Sequence, residues 1–581
     1  MIYWTNYSGH EILPIGKRNM VDNNIYTFDI ETTSYVVLNG EQMQPEDYLE
    51  LLPKDKEMCK FCGTMYIWML GINDTVYYGR NYEELYQFIE RIEKYTLSKK
   101  IKKIIYVHNL SFEFQFLRNI FKFKNVMARK SRKIMKCQLV DFNFEFRCTL
   151  MMTNCKLEKL PDIYKLDVKK LVGNLDYSKM RHCKTKLSDK ELQYCENDCL
   201  VVYRYIQREL EQYTTCKNVP ITSTGHVRRE FKDKITKDYN YKNKTRRSIN
   251  IEGHIYNLLI DAFAGGYTHA NWIYADTIIK NVSSYDFTSS YPYVMVTHKF
   301  PMTIFRKCNI TKLSQIESMK SFAYLLKVRF TDLRCKYYNN FISQSKCTNI
   351  HNAKYDNGRI ISADSLEITL TDVDFKFILK AYNCKYQILE SYYSKYGYLP
   401  KQFIDFILDK YVKKTTYKGV SGKELEYSLE KAKFNSLYGM CVTNNIKDNV
   451  EFDNISGWQE IPQTNDEILK SLEKEKKQAF LSFSWGVWVT AWARCNLLEN
   501  IIKLDEYVIY GDTDSIKVRE GFDINVINNY NEKVMKKIEI ASKELDISID
   551  KFMPKDSKGN KRPLGVFDHD DDYKEFITQR C

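Results

Sequence analysis

Apolar and polar positions along this chain change period several times. Residues 25–30 (IYTFDI) form an apolar run ending in a carboxylate and residues 104–108 (IIYVH) form another, each predicting a buried strand. Residues 86–92 and 191–212 carry apolar positions at helical spacing instead. This mixture predicts an α/β domain over residues 1–215. A polar stretch follows, residues 226–247, with nine Lys or Arg and three acids. It predicts a basic connector over 216–250, with DNA contact as its functional alternative. Residues 251–581 form a second, α+β block, in which 282–286 and 507–514 read as strands and 423–438 and 482–500 as helices.

Composition narrows the reading. A chain of 581 residues is too long for one core, since single cores stop growing near roughly 300 residues. Lys and Arg outnumber Asp and Glu by 88 to 74, which favours polyanionic partners. Residues 97–136 concentrate that excess, holding 12 Lys or Arg and a single acid, Glu113, with Phe112, Phe114, Phe116, Phe121 and Phe123 interleaved. Such a stretch suits either a solvated face or a groove that pairs phosphates and stacks bases. The 16 cysteines follow no framework spacing, and the CxxC of Cys59 and Cys62 has no second ligand pair, so reduced thiols in a cytoplasmic setting are expected. The most apolar stretch, 479–493, is too short for a membrane span and is interrupted by Ser482, Ser484 and Gly486. No membrane partner is expected.

Two sets of carboxylates carry the chemistry. Phosphoryl transfer on nucleic acid commonly uses paired divalent cations held by convergent acids. One set comprises Asp286 in YDFTSSYP with Asp512 and Asp514 in YGDTDS. If both aspartates lie on one hairpin strand, positions i and i+2 face the same side and point at one metal pair. Between these segments, KAKFNSLYGM puts Lys431, Asn435 and Tyr438 on one helical face, followed by Gly439. The other set is Asp29 and Glu31 in FDIETTS, Glu113 in HNLSFEF, and Asp198 four residues after Tyr194 in YCENDC.

These segments resemble the family B DNA polymerases. D-x-x-S-x-Y-P, K-x-x-x-N-S-x-Y-G and Y-x-D-T-D-S occur here in the family's order, beginning at Asp286, Lys431 and Tyr510. The resemblance implies an RNase H-like 3′→5′ exonuclease domain followed by a polymerase palm and fingers. Asp286 and Asp514 would ligate two Mg²⁺ ions, with Mn²⁺ as a substitute, and Asp512 would support them. Lys431, with Asn435 and Tyr438, would bind the incoming nucleotide, and Lys414 resembles a second phosphate-binding lysine. Tyr291 would lie under the sugar and exclude a 2′-hydroxyl. Asp29, Glu31 and Asp198 would ligate metal in the exonuclease, with Glu113 completing the set, Tyr194 orienting water and Asn109 holding a single-stranded primer end. Glu113 stands where the family usually has Asp.

Further features resemble the protein-primed viral and plasmid branch, whose primer is a terminal protein. FAGG, with Gly265 and Gly266, is similar to its Y-x-G-G/A loop, although Phe263 replaces tyrosine, and Thr490 and Arg494 in TAWAR are similar to its DNA-contacting T-x-x-G/A-R. Insertions near 301–362 and 444–478 match segments that in this branch contact terminal protein and encircle DNA. After Ser515 no K-x-Y is evident, so the thumb is expected to be truncated or missing, or supplied by a separate C-terminal fragment. The expected function is replication of a viral or linear plasmid genome in the host cytosol, from primer-template DNA and dNTPs. The alternatives are a DNA-binding remnant or split-polymerase subunit inactive without that fragment, and a repair nuclease.

Overall fold

The computed structural model describes residues 1–9, 21–44, 47–95, 101–168, 175–176, 179–235, 238–241, 243, 245, 251–442, 449–453 and 456–578. The chain divides into two compact units, Met1–His226 with Lys447–Gln463, and Val227–Ile446 with Thr464–Cys581.

The first unit is built on a mixed nine-stranded sheet. Its centre is the strand Tyr26–Leu38, longer than the pattern predicted, which runs parallel to Lys103–Val107 and antiparallel to Lys60–Ile72. A register shift between Glu31 and Thr32 interrupts the ladder just past the acids, the kind of bulge that re-aims side chains. The helix Asp189–Tyr213 packs on this strand. It starts where it does because Ser188 accepts from the Glu191 amide while the Glu191 carboxylate accepts from the Ser188 amide, a reciprocal cap.

Part of the unit comes from far along the chain. The strands Asn449–Asp453 and Gly457–Ile461 pair as a hairpin. Phe452 lies edge-on to Phe114 at 4.9 Å, Trp458 lies 5.8 Å from the same ring, and Arg118 sits over Phe452. The expected insertion at 444–478 is therefore shared, with this hairpin in the first unit and the helix Asn465–Gln478 in the second. Residues 444–448 and 454–455 of it lie outside the described residues.

The basic stretch differs from its base-stacking reading. Phe114, Phe121 and Phe123 are core residues, and Lys103 is buried in an ion pair with Glu93 at 2.9 Å. Phe112 is exposed, as are Arg129, Lys130, Arg132 and Lys133 in the turn between the strands Phe123–Ala128 and Ile134–Leu139. Residues 97–100 lie outside the described residues.

The second unit holds a five-stranded antiparallel sheet in the order Thr268–Ala270, Val508–Asp512, Ser515–Arg519, Ile278–Phe287, Phe567–Ile577. The run Phe567–Ile577 is thus an edge strand of this sheet, paired with Ile278–Phe287. A second sheet of seven strands is built around Phe322–Cys335, Arg359–Thr371 and Tyr382–Gly397, and the segment 301–362, expected as an insertion, supplies part of it. The expected connector is no bare linker. Its helix Ser223–Ile235 puts Val227, Phe231 and Ile235 into the second unit's core, while 236–237, 242, 244 and 246–250 lie outside the described residues.

The helix Phe483–Leu504 crosses that core with Trp485 and Trp488 fully buried. Gly486 makes the crossing close, since a Cβ there would stand 2.2 Å from the Val442 side chain. No helix among the described residues is long and apolar enough to cross a membrane.

Candidate active sites

In the first unit, Asp29 and Glu31 share one face of their strand, and the helix laid across that face supplies Asp198. Ligand oxygens of the three lie within 4.8 Å of one another, and Glu31 and Asp198 are buried. Tyr194, one helical turn before Asp198, is buried as well. Glu113 lies on the helix Leu110–Leu117, 3% exposed, with Oε2 lacking a hydrogen-bond partner among the described residues. Burial drives its carboxyl well above the usual carboxylate range, and the charge of Glu31 adds to the shift. Glu113 therefore faces the triad without joining its tight set. Asn109 caps that helix in the left-handed region at φ 70°, which Asn tolerates, and is exposed. The buried orphan oxygen and the three close acids fit a divalent cation.

In the second unit, Asp286 is the penultimate residue of the strand Ile278–Phe287, opposite Ser515 on one side and Asp568 on the other. Burial, then the charges of Asp514 and Asp570, raise its carboxyl to about 7, against the opposing pull of Lys517 and Lys414. Asp514 is raised by burial and by Asp512. The i, i+2 argument for Asp512 and Asp514 is corrected, because only Asp512 is in a strand. Thr513 and Asp514 form the turn, with Thr513 at φ 56°. That turn is pinned by its main chain: the Thr513 amide donates to Tyr267 O at 2.6 Å and the Phe287 amide to Asp514 O at 2.8 Å. Gly266 packs against it so closely that a Cβ would meet the Thr513 side chain at 2.7 Å. Gly265 has open space around it.

Cations stand opposite these acids. Lys414, on the helix Lys401–Tyr417, donates to Ser289 Oγ at 3.1 Å and lies 4.9 Å over the Phe434 ring. Burial, then Lys431 and Lys418, lower its ammonium to about 8. Lys431 and Asn435 are exposed on the helix Glu424–Cys441, and Tyr438 from the same face stacks on Tyr291 at 4.4 Å.

Of the two residues assigned to DNA from TAWAR, Thr490 is corrected. Thr490 is fully buried, with its hydroxyl on the helix carbonyl of Val487 at 2.9 Å. Arg494 is about nine-tenths buried, paired with Asp374 at 2.7 Å and donating to Ala264 O and Gly265 O. The Thr490 hydroxyl is spent inside the core, while Arg494 holds the glycine loop and lines the same pocket as Gly265 and Gly266. Asp568, Asp570, Lys517 and Thr268 escaped the sequence reading. Asp568 and Asp570 were legible as the acidic run DHDDD, and Lys517 as a cation two residues past a motif end.

Residues 170–485 match the model of DNA polymerase type B, organellar and viral. The chain belongs to this family. It is similar to the DNA polymerases of Bacillus phage B103, 24% identical over 470 residues covering 77% of this chain and 75% of the relative, and of Bacillus phage phi29, 22% identical over 443 residues covering 72% and 71%. Among solved structures, phi29 DNA polymerase with primer-template DNA and incoming nucleotides matches with TM-score 0.64 and 17% identity over 96% of this chain and 86% of that one. The structure of the same enzyme with primer-template DNA after translocation matches with TM-score 0.66 over like shares, again at 17% identity. The reading of the chain as a viral DNA-directed DNA polymerase of the protein-primed family B branch holds. Such a polymerase depends on divalent metal ions.

Proposed function

We propose that this polymerase extends a DNA primer at Asp286, Asp512 and Asp514 and excises mispaired 3′ ends at Asp29, Glu31, Glu113 and Asp198, in an RNase H-like exonuclease domain that covers about the first 215 residues. The observation that carries the first role is the facing of acids and cations, in which Asp286 feels both Asp514 and Lys414. Asp286 and Asp514 would hold Mg²⁺, which lowers the cost of charge on the attacking and leaving oxygens. Lys414 and Lys431 neutralise the triphosphate, Asn435 and Tyr438 seat the nucleotide, and the Tyr291 ring fills the space a 2′-hydroxyl would need. Gly265, with open space around it, leaves room for the DNA, and Gly266 lets the same loop close on the Thr513 turn.

What supports the second role is the close set of Asp29, Glu31 and Asp198. These acids would hold the second pair of cations. Tyr194 orients the attacking water and Asn109 holds the frayed primer end. The related phi29 enzyme has been crystallised with primer-template DNA and nucleotides, and with single-stranded DNA. Those ligands suit both roles here.

Replication from a terminal-protein primer in the host cytoplasm completes the reading. Grip on the duplex through its phosphates belongs to it too, because phosphate contacts supply much of the affinity for DNA. The experiment is extension of a primed single strand with dNTPs and Mg²⁺. Growth of the primer is expected; degradation alone or no change contradicts the proposal.

A further inference from the structure

We infer that Thr268 and Arg359 are positioning residues of the polymerase centre, through which the seven-stranded sheet holds Asp512 and the turn after it in register. This rests on reading Asp286, Asp512 and Asp514 as that centre. The short strand Thr268–Ala270 pairs with the catalytic strand so that Thr268 stands opposite Asp512 and His269 opposite Gly511. Thr268 Oγ1 donates to Asp512 Oδ1 at 3.0 Å, and Thr513 Oγ1 approaches the same oxygen at 3.1 Å. Asp512 is exposed, so without these hydroxyls its carboxylate is free to rotate among rotamers away from its neighbours. A hydrogen bond to an ionised acceptor is among the stronger ones, and it aims the remaining oxygen.

The strand is itself held from its other side. Arg359, at the start of a strand of that sheet, donates to Phe341 O at 2.8 Å and to Thr268 O at 3.3 Å, and its guanidinium lies 4.6 Å over the Tyr267 ring. Tyr267 donates its hydroxyl to Asn340 O at 3.1 Å and accepts the Thr513 amide on its carbonyl at 2.6 Å. His269 pairs with Asp356 at 3.1 Å. The three residues Tyr267, Thr268 and His269 thus each touch the segment 301–362, while Tyr267 also holds the turn that carries Asp514 and Thr268 holds Asp512 at the strand end before it. A planar fork reaching two carbonyls while stacking on a ring is chemistry that Arg supplies and Lys does not.

The test measures single-nucleotide incorporation against Mg²⁺ concentration for Thr268→Val, Thr268→Ser and Arg359→Met, with thermal unfolding and 3′-end excision followed in parallel. Mn²⁺ binding by electron paramagnetic resonance is read in an Asp29→Ala, Glu31→Ala background, where the polymerase centre alone binds. Thr268→Val keeps the shape of the side chain and loses the hydroxyl, so it should raise the Mg²⁺ half-saturation about tenfold and weaken Mn²⁺ binding by about the same factor. Excision and unfolding should be unchanged, and Thr268→Ser should return to within about twofold of the unaltered chain. Arg359→Met should act in the same direction, and less than additively with Thr268→Val, because both work through one contact. If Arg359→Met does not fold, the Thr268 pair decides alone. Unaltered metal binding in Thr268→Val, or no recovery in Thr268→Ser, overturns the inference while leaving the polymerase reading intact. A native chain that incorporates no nucleotide overturns both.

Discussion

Asp29, Glu31 and Asp198 bring their oxygens within 4.8 Å of one another, whereas Asp512 is turned onto two threonine hydroxyls and Asp514 sits in a main-chain turn. Among the described residues the palm acids do not close into such a set. In the first unit one strand and one helix fix all three acids, so their mutual repulsion is built into the fold and awaits a cation. In the second unit the acids come from two strands and a turn, and Lys414, with Lys431 of another helix beside it, acts on Asp286. The proposed roles account for the difference: a centre that admits a triphosphate already carrying its own charge would be left more open, and one that cleaves a single strand would be gathered in advance.

That contrast is easiest to break at the tight set. Asp198→Asn should lower 3′-end excision about a thousandfold, the equivalent of roughly 4 kcal/mol, and leave extension unchanged. Equal loss of extension, measured on the same primed template, would mean the two centres are not separate. Next comes the far-sequence hairpin, which the contrast assigns to the excision unit. Phe452→Ala should destabilise that unit by ~3 kcal/mol, seen as faster amide exchange in the strands Phe123–Ala128 and Ile134–Leu139. Protection lost in the second unit instead would place the hairpin wrongly.

Two predictions sharpen the palm side. Tyr291→Val should lower the preference for dNTP over rNTP by roughly tens of fold in competition assays, since a smaller side chain admits the 2′-hydroxyl. An unchanged ratio removes the steric role. The smallest effect is in pH. The Lys414 ammonium is depressed to about 8, so the free enzyme holds it charged below that value and loses the charge as pH rises through it. kcat/KM for dNTP should therefore fall about tenfold above pH ~8, and Lys414→Gln should be low and flat across the same range. An identical alkaline limb in Lys414→Gln would assign the titration elsewhere.

Much of each centre was legible because its residues lie within short motifs on regular elements. Asp29 and Glu31 on a strand, Tyr194 and Asp198 one helical turn apart, and Lys431 with Tyr438 on one face all follow from period alone. The misses share a cause. Asp514 lies in a turn, and strand parity cannot be extended past the last paired residue. Thr490 matches a motif, yet the apolar density around TAWAR, with Trp485 and Trp488 beside it, signalled a core helix in which its hydroxyl serves the interior. Thr268, Asp568 and Phe452 act through partners 244, 282 and 338 residues away, Asp512, Asp286 and Phe114, and nothing in a local window shows such pairings.

The most direct measurement is a crossover on one labelled primer-template, comparing Asp514→Ala with Asp29→Ala, Glu31→Ala in the presence of Mg²⁺, with and without dNTPs. The account predicts that Asp514→Ala only shortens the primer and that the paired exonuclease variant only lengthens it. If either variant loses both activities, or keeps both, the assignment of two separate acidic centres is contradicted.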